Sequence, residues 1–163
     1  MEAIEDSALN TIDVLFVGAG PASLAGAIKL KQLLNQNGRN ESVVVIEKAE
    51  KLGQHNLSGA LFEAEVLDEL IPGWREEGSQ FTTKMLANKV KEDEVFFLLP
   101  KLPIKVPELF IPPYMRHSGN YAISVSELVN WLAGHARSLG VEIYNGFVGE
   151  EVIVENGTVT GIK

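Results

Sequence analysis

Cysteine is missing from all 163 residues. Its absence excludes disulfides, thiolate metal sites and a cysteine nucleophile, and it fits a reducing compartment. Positive charge is also scarce: 14 Lys and Arg face 22 Asp and Glu, a net charge of −8. No nucleic-acid partner is therefore expected, because phosphate backbones are held by clustered cations. Electrostatic docking of the whole chain on anionic lipid is disfavoured for the same reason. No apolar run approaches the roughly 18 residues that a membrane-spanning helix needs. The opening Met1-Glu2-Ala3-Ile4-Glu5-Asp6 carries acid where an organellar presequence would carry arginine, and it lacks the apolar stretch of a secretory signal. Repeats and low-complexity tracts are absent. What remains is an ordinary globular composition, 45% apolar and 22% charged, at a length that suits one domain better than two. The expected division is an N-terminal tail over 1–12 and one domain over 13–163. The chain stops at Lys163 directly after a strand-like run, so it is expected to be part of a longer protein.

The first third of the chain carries the clearest pattern. Asp13-Val14-Leu15-Phe16-Val17 is a short continuous apolar run, as in a strand buried on both faces of a parallel sheet. Gly18-Ala19-Gly20-Pro21-Ala22-Ser23 follows, then a helical segment from Leu24 to Leu34 that ends near Asn37-Gly38. A second apolar run, Val43 to Ile46, ends at Glu47. Strand, glycine turn, helix and strand make a βαβ unit. Further along, Phe62, Val66, Leu67, Leu70, Ile71 and Trp74 fall at helical spacing. Five prolines between Pro100 and Pro113 require extended or turning chain. Ser124-Val125-Ser126-Glu127 reads as a capping box opening a helix that Gly140 closes. Val141 to Tyr144 reads as a strand, and Asn156-Gly157 as the turn of a hairpin. The expected fold class is α/β: a Rossmann-like domain with a parallel sheet and an added β hairpin, truncated.

The glycine turn has a physical reading. Gly18 permits a tight turn at the strand's end, and Gly20 lets the backbone approach a pyrophosphate at a helix N-terminus, where unpaired N–H groups favour negative charge. Ser23 stands where a third glycine or alanine is usual, which would set helix and strand slightly further apart. Glu47, at the tip of the second strand, is placed to bind ribose hydroxyls and to repel a 2′-phosphate, which argues against NADP. A glycine pattern alone is weak; one that follows a buried strand, opens a helix and has its acid on the next strand is a dinucleotide site.

Which dinucleotide is suggested by a resemblance. Val17 to Ala22, Glu47-Lys48-Ala49, Gly53 to Ala60, Pro72-Gly73-Trp74, Gly119-Asn120-Tyr121, Leu128 to Trp131 and Gly140 to Tyr144 together resemble the electron transfer flavoprotein–ubiquinone oxidoreductase family. The likeness runs from about Asp13 to the end. It implies FAD as cofactor, electron transfer flavoprotein and ubiquinone as partners, and a cysteine-ligated 4Fe-4S cluster in the full-length protein only. It places Gly18, Ala19, Gly20, Pro21, Ala22 and Ser23 at the pyrophosphate and Glu47 at the adenosine ribose. Lys48, Gly53, Ser58 and Gly59 would lie beside the cofactor, and the backbone near Val148 would meet adenine. The chain departs from the family at Ser124, where arginine is usual; here Ser124 reads as an N-cap. The location implied is peripheral, on the cytoplasmic side of a bacterial inner membrane, with the cytoplasm as the alternative.

No protein acid or base is singled out as catalytic. His55 sits in a polar loop and reads as structural or solvent-exposed, and His117 and His135 have no partner at a telling spacing. Residues 57–74, with Leu109-Phe110-Ile111, read two ways. Their polar face carries Glu and Asp, which favours core packing over an interfacial helix, whereas the resemblance places this segment at a membrane. Two rival functions stay open: an FAD-dependent monooxygenase or geranylgeranyl-reductase-like flavoprotein, and an inactive nucleotide-binding fragment.

Overall fold

The computed structural model describes residues 11–57 and 59–163. The elements run β1 (Val14–Val17), α1 (Pro21–Gln36), β2 (Val43–Glu47), β3 (Ala60–Phe62), α2 (Glu65–Leu70), α3 (Gln80–Ala87), β4 (Phe96–Leu98), β5 (Pro103–Lys105), β6 (Tyr121–Ile123), α4 (Val125–Ser138), β7 (Glu142–Asn145), β8 (Val152–Glu155) and β9 (Thr158–Ile162). They fall into two units. One is the chain up to Asn56 together with Leu128–Lys163; the other is Leu57–Glu127.

The first unit holds a parallel sheet in the order β1-β2-β7, so the class is α/β as the sequence implied. Val14 pairs with Val43 and Val17 with Ile46 across β1 and β2, and Glu47 pairs with Asn145 across β2 and β7. Val43, Val44 and Val45 are all buried, which is why this strand is an unbroken apolar run. In α1, Leu24, Ala27, Ile28 and Leu34 make the buried stripe, and Pro21 occupies the first helical position, where it needs no N–H partner. The helix stops where Asn37 Nδ2 donates to the Leu33 carbonyl at 2.8 Å and Gly38 turns at φ +64°. Strands β8 and β9 form the expected hairpin, with Asn156 at φ +50° and Gly157 at φ +80°, the signs a type I′ turn requires.

The second unit departs from the helical spacing between Phe62 and Trp74. Only Glu65–Leu70 is helical. Phe62 is instead drawn into β3, where it pairs with Tyr121 of β6, and Pro72-Gly73 turns the chain after Ile71, with Gly73 at φ +83°. Trp74 lies in that turn, buried, with its Nε1 donating to Asp68 Oδ1 at 2.8 Å and the Arg75 guanidinium 4.4 Å over its ring. Leu67, Ile71 and Trp74 are therefore core. Helix α3 was not legible in the sequence, although Ser79 caps it, its Oγ accepting from the Thr82 N–H at 3.2 Å. The proline-rich stretch forms the β4–β5 hairpin and two single 3-10 turns, Glu108–Phe110 and Pro113–Met115. Ser124 Oγ accepts from the Glu127 N–H at 3.4 Å, the N-cap bond expected of it, and the Glu127 carboxylate takes Lys84 Nζ at 2.6 Å. Among the described residues no helix is long and apolar enough to cross a membrane.

Candidate functional site

The three loops at the carboxyl end of the parallel sheet converge, as they do wherever an open α/β sheet binds a ligand. The first is the glycine turn. Gly18 adopts φ +91°, which favours glycine, and its N–H still bonds the Ile46 carbonyl at 2.7 Å. Gly20 is different. Its φ of −75° and ψ of 171° are open to any residue, and a Cβ there would meet nothing within 4 Å. Neither backbone nor neighbours demand glycine at 20. A glycine at this position leaves the backbone open to close approach from outside. No side chain caps α1 and no acid stands in its first turn. The N–H groups of Ala22 and Ser23 lack intrahelical acceptors by geometry and carry the positive end of the helix dipole. The turn is thus suited to an anion such as a pyrophosphate.

Glu47 closes the second side. Its Oε2 accepts from the Ala19 N–H at 2.8 Å and its Oε1 from the Ala49 N–H at 2.9 Å. Burial pushes this carboxyl up, but the two N–H donors, with the charges of His55 and Lys48, outweigh it and hold it below the ordinary carboxylate value. At neutral pH it is an acceptor-only group with room for further donors, as ribose hydroxyls would be.

The third loop follows β7. Gly146 N–H bonds the Ala49 carbonyl and Phe147 N–H the Glu47 carbonyl, each at 3.0 Å, which pins this loop to the end of β2. Val17, Gly18, Glu47, Lys48, Phe147 and Val148 thereby line one cavity of about 150 Å³. Val148 and Glu47 are 101 residues apart in sequence, yet both line this space. Phe147, whose ring meets Tyr144 edge-on at 6.0 Å, was missed by sequence reasoning. An aromatic after Gly146 was the available signal, but nothing local placed it beside Glu47.

The remaining candidates do not gather there so clearly. Gly53 is buried in a turn at φ +75°, and its neighbour Leu52 accepts from Asn130 Nδ2 of α4 at 3.1 Å. Gly59, exposed at φ +90°, belongs to the second unit, and Ser58 lies outside the described residues. His55 is exposed. His117 does have an acidic partner that its spacing hid: its Nδ1 lies 3.1 Å from Asp93 Oδ2, which also accepts the His117 N–H at 2.8 Å. His135 packs edge-on against Trp131 at 4.6 Å.

Comparison with protein-family models gives no match. Among curated proteins, the chain is 45% identical over 152 residues to the electron transfer flavoprotein-ubiquinone oxidoreductase of Pseudomonas aeruginosa, covering 92% of this chain and 27% of that protein. It is 42% identical over 151 residues to the mitochondrial one of Mus musculus, covering 92% of this chain and 24% of that protein. The chain is a relative of the electron transfer flavoprotein–ubiquinone oxidoreductases. It spans about a quarter of the length of these family members. Among solved structures, a geranylgeranyl bacteriochlorophyll reductase-like protein from Thermoplasma acidophilum covers 93% of the chain and 34% of its own, at TM-score 0.61 and 24% identity. The 2-methyl-3-hydroxypyridine-5-carboxylic acid oxygenase covers 86% of the chain and 33% of its own, at TM-score 0.54 and 22% identity. These two likenesses are of the α/β fold alone.

Proposed function

We propose that this chain holds the ADP half of FAD within a larger oxidoreductase that passes electrons from electron transfer flavoprotein to ubiquinone. The observation that carries the reading is Gly20, a glycine required by neither conformation nor packing, standing at an uncapped helix N-terminus beside the Glu47 carboxylate. The N–H groups of Gly20, Ala22 and Ser23 would bind pyrophosphate oxygens, Glu47 would take the adenosine ribose, and the Val148 backbone would meet adenine. When bound, FAD supplies the redox chemistry; the protein positions it and tunes its electronics. The cysteine-ligated cluster implied by the resemblance finds no thiolate in this chain, and no step is assigned to it. The rival monooxygenase and geranylgeranyl-reductase-like readings rest on likenesses at 22–24% identity, against 45% for the quinone-linked relative.

A quinone substrate is lipid-soluble, and the second unit carries a surface suited to lipid. Of the two readings of residues 57–74, the burial of Leu67, Ile71 and Trp74 favours core packing over membrane contact. The β4–β5 hairpin and the following turns expose Phe97, Leu98, Leu102 and Tyr114, together with Leu109 and Phe110 of the same membrane reading, each at 60% or more. Of the cations in this stretch, Lys105 is ion-paired with Glu94 and Arg116 lies 4.0 Å from Glu108, so its surface is marked by apolar side chains and not by positive charge. Exposed apolar side chains gathered in one stretch favour a lipid surface, and we propose the peripheral membrane contact here.

Calorimetric titration of the chain with ADP and with FAD tests the site. Both should bind, with FAD gaining little over ADP, because the contacts described reach only the ADP half; no quinone-dependent turnover is expected. Failure of the folded chain to bind either ligand overturns the reading, and stoichiometric tight FAD with turnover overturns its restriction to the ADP half.

A further inference from the structure

We propose that Glu47 is a positioning residue for the glycine turn, acting on a bound pyrophosphate through the backbone of Ala19, apart from any contact with ribose. The inference rests on the dinucleotide reading above and adds a second role to the same side chain. A turn with glycine at 18 and 20 has wide conformational freedom in the unfolded chain, and ordering it must be paid for by contacts within the protein. On its strand side, the Gly18 N–H is held by the Ile46 carbonyl at 2.7 Å. On its helix side, the first bond is from the Leu24 N–H to the Gly20 carbonyl at 3.0 Å. Between these two ties stands Ala19, 2% exposed, and its N–H donates to Glu47 Oε2 at 2.8 Å. Rotation of the Ala19 peptide would swing Gly20 and re-aim the N–H groups that follow it. A charge-assisted bond at this point therefore fixes the direction in which the helix N-terminus presents its donors.

The second oxygen extends the same function. Oε1 holds the Ala49 N–H at 2.9 Å, and the backbone carbonyls of Glu47 and Ala49 hold Phe147 and Gly146. One carboxylate thus ties the glycine turn to the loop after β2, whose carbonyls in turn tie the loop after β7. A carboxylate offers about four lone-pair sites, so two remain for ribose hydroxyls and the two roles do not compete.

The two roles make opposite predictions for a ligand without ribose. If Glu47 serves only ribose, removing its negative charge leaves inorganic pyrophosphate binding unchanged or tighter, since like charges repel. If it positions the turn, pyrophosphate binding weakens. The test is a titration of unmodified chain, Glu47→Ala and the isosteric Glu47→Gln with inorganic pyrophosphate, alongside hydrogen exchange of the Ala19 amide without ligand. We expect Glu47→Ala to weaken pyrophosphate about tenfold, equivalent to about 1.4 kcal/mol, and to lose protection at the Ala19 amide. Glu47→Gln, which keeps one carbonyl acceptor, should fall between. Unchanged or tighter pyrophosphate binding, or undiminished protection of Ala19 in folded Glu47→Ala, would overturn the proposal. If the unmodified chain binds neither pyrophosphate nor ADP, the dinucleotide reading fails, and the exchange measurement still decides whether Glu47 orders the turn.

Discussion

A Cβ built on Gly26 would stand 3.1 Å from Cε1 of Phe16, so α1 meets the Phe16 ring of β1 at a position where any side chain is crowded. Ser23, the third member of the glycine pattern, precedes this contact by one helical turn. Gly26→Val is expected to destabilise the chain by about 1–3 kcal/mol, the usual cost of overpacking. Gly26→Ala should lie much closer to neutral, because the gain of about 1 kcal/mol in helix propensity offsets a shift of the ring by tenths of an ångström. Urea unfolding measures both, and a neutral valine variant would mean that the helix does not sit this close.

Gly20 is the complementary case. Since a side chain at 20 meets nothing within the protein and the backbone there is unstrained, Gly20→Val should fold with unchanged thermal stability. Its branched side chain would nevertheless occupy the approach to the helix N-terminus, and ADP affinity should fall by at least about tenfold, or 1.4 kcal/mol. Calorimetry beside a melting curve checks the pair of outcomes. Unchanged ADP affinity in a folded variant removes the phosphate role of the turn.

The Glu47 carboxyl is held below its ordinary value in the folded chain. A depressed carboxyl contributes stability that is fully present above the unfolded-state value of 4.5 and is lost as pH falls through the lower folded value. Acid unfolding should therefore draw on this group only below about pH 4.5, and Glu47→Gln should flatten that part of the stability curve while leaving its shape above pH 6 alone. A variant curve parallel to that of the unmodified chain throughout the acid range would contradict the assignment.

The hairpin surface has its own test. Flotation with phospholipid vesicles should recover the chain, and recovery should change little as salt rises, because the contact is apolar. Leu98→Asp combined with Leu102→Asp should abolish recovery, whereas Val66→Asp, on the exposed side of α2, should not. If Val66→Asp abolished recovery and the hairpin pair did not, the contact would return to the 57–74 segment.

How much of this was legible beforehand depends on the distance between cause and effect along the chain. The β1–α1–β2 unit was readable because its determinants are local: a valine-rich run, two glycines, a proline at the first helical position and an apolar stripe at helical period. The Asn156-Gly157 hairpin was readable for the same reason. The Phe62–Trp74 spacing misled because Phe62 answers to Tyr121 across a strand pair, a partner that lies far outside any helical window. Helix α3 escaped notice because its eight residues are too few to show a period and two of them are threonines.

By itself, then, the sequence determined the class of the fold, the glycine turn and the acid at the end of β2, since each follows from residue chemistry within a few positions. Tertiary structure alone decided that β7 lies beside β2, that Phe147 and Val148 share a cavity with Glu47, and that His117 finds Asp93. It also decided that the Glu47 carboxylate is already engaged by Ala19 and Ala49. Those are contacts between segments brought together by burial, and burial rewards apolar area without naming which distant segment supplies it.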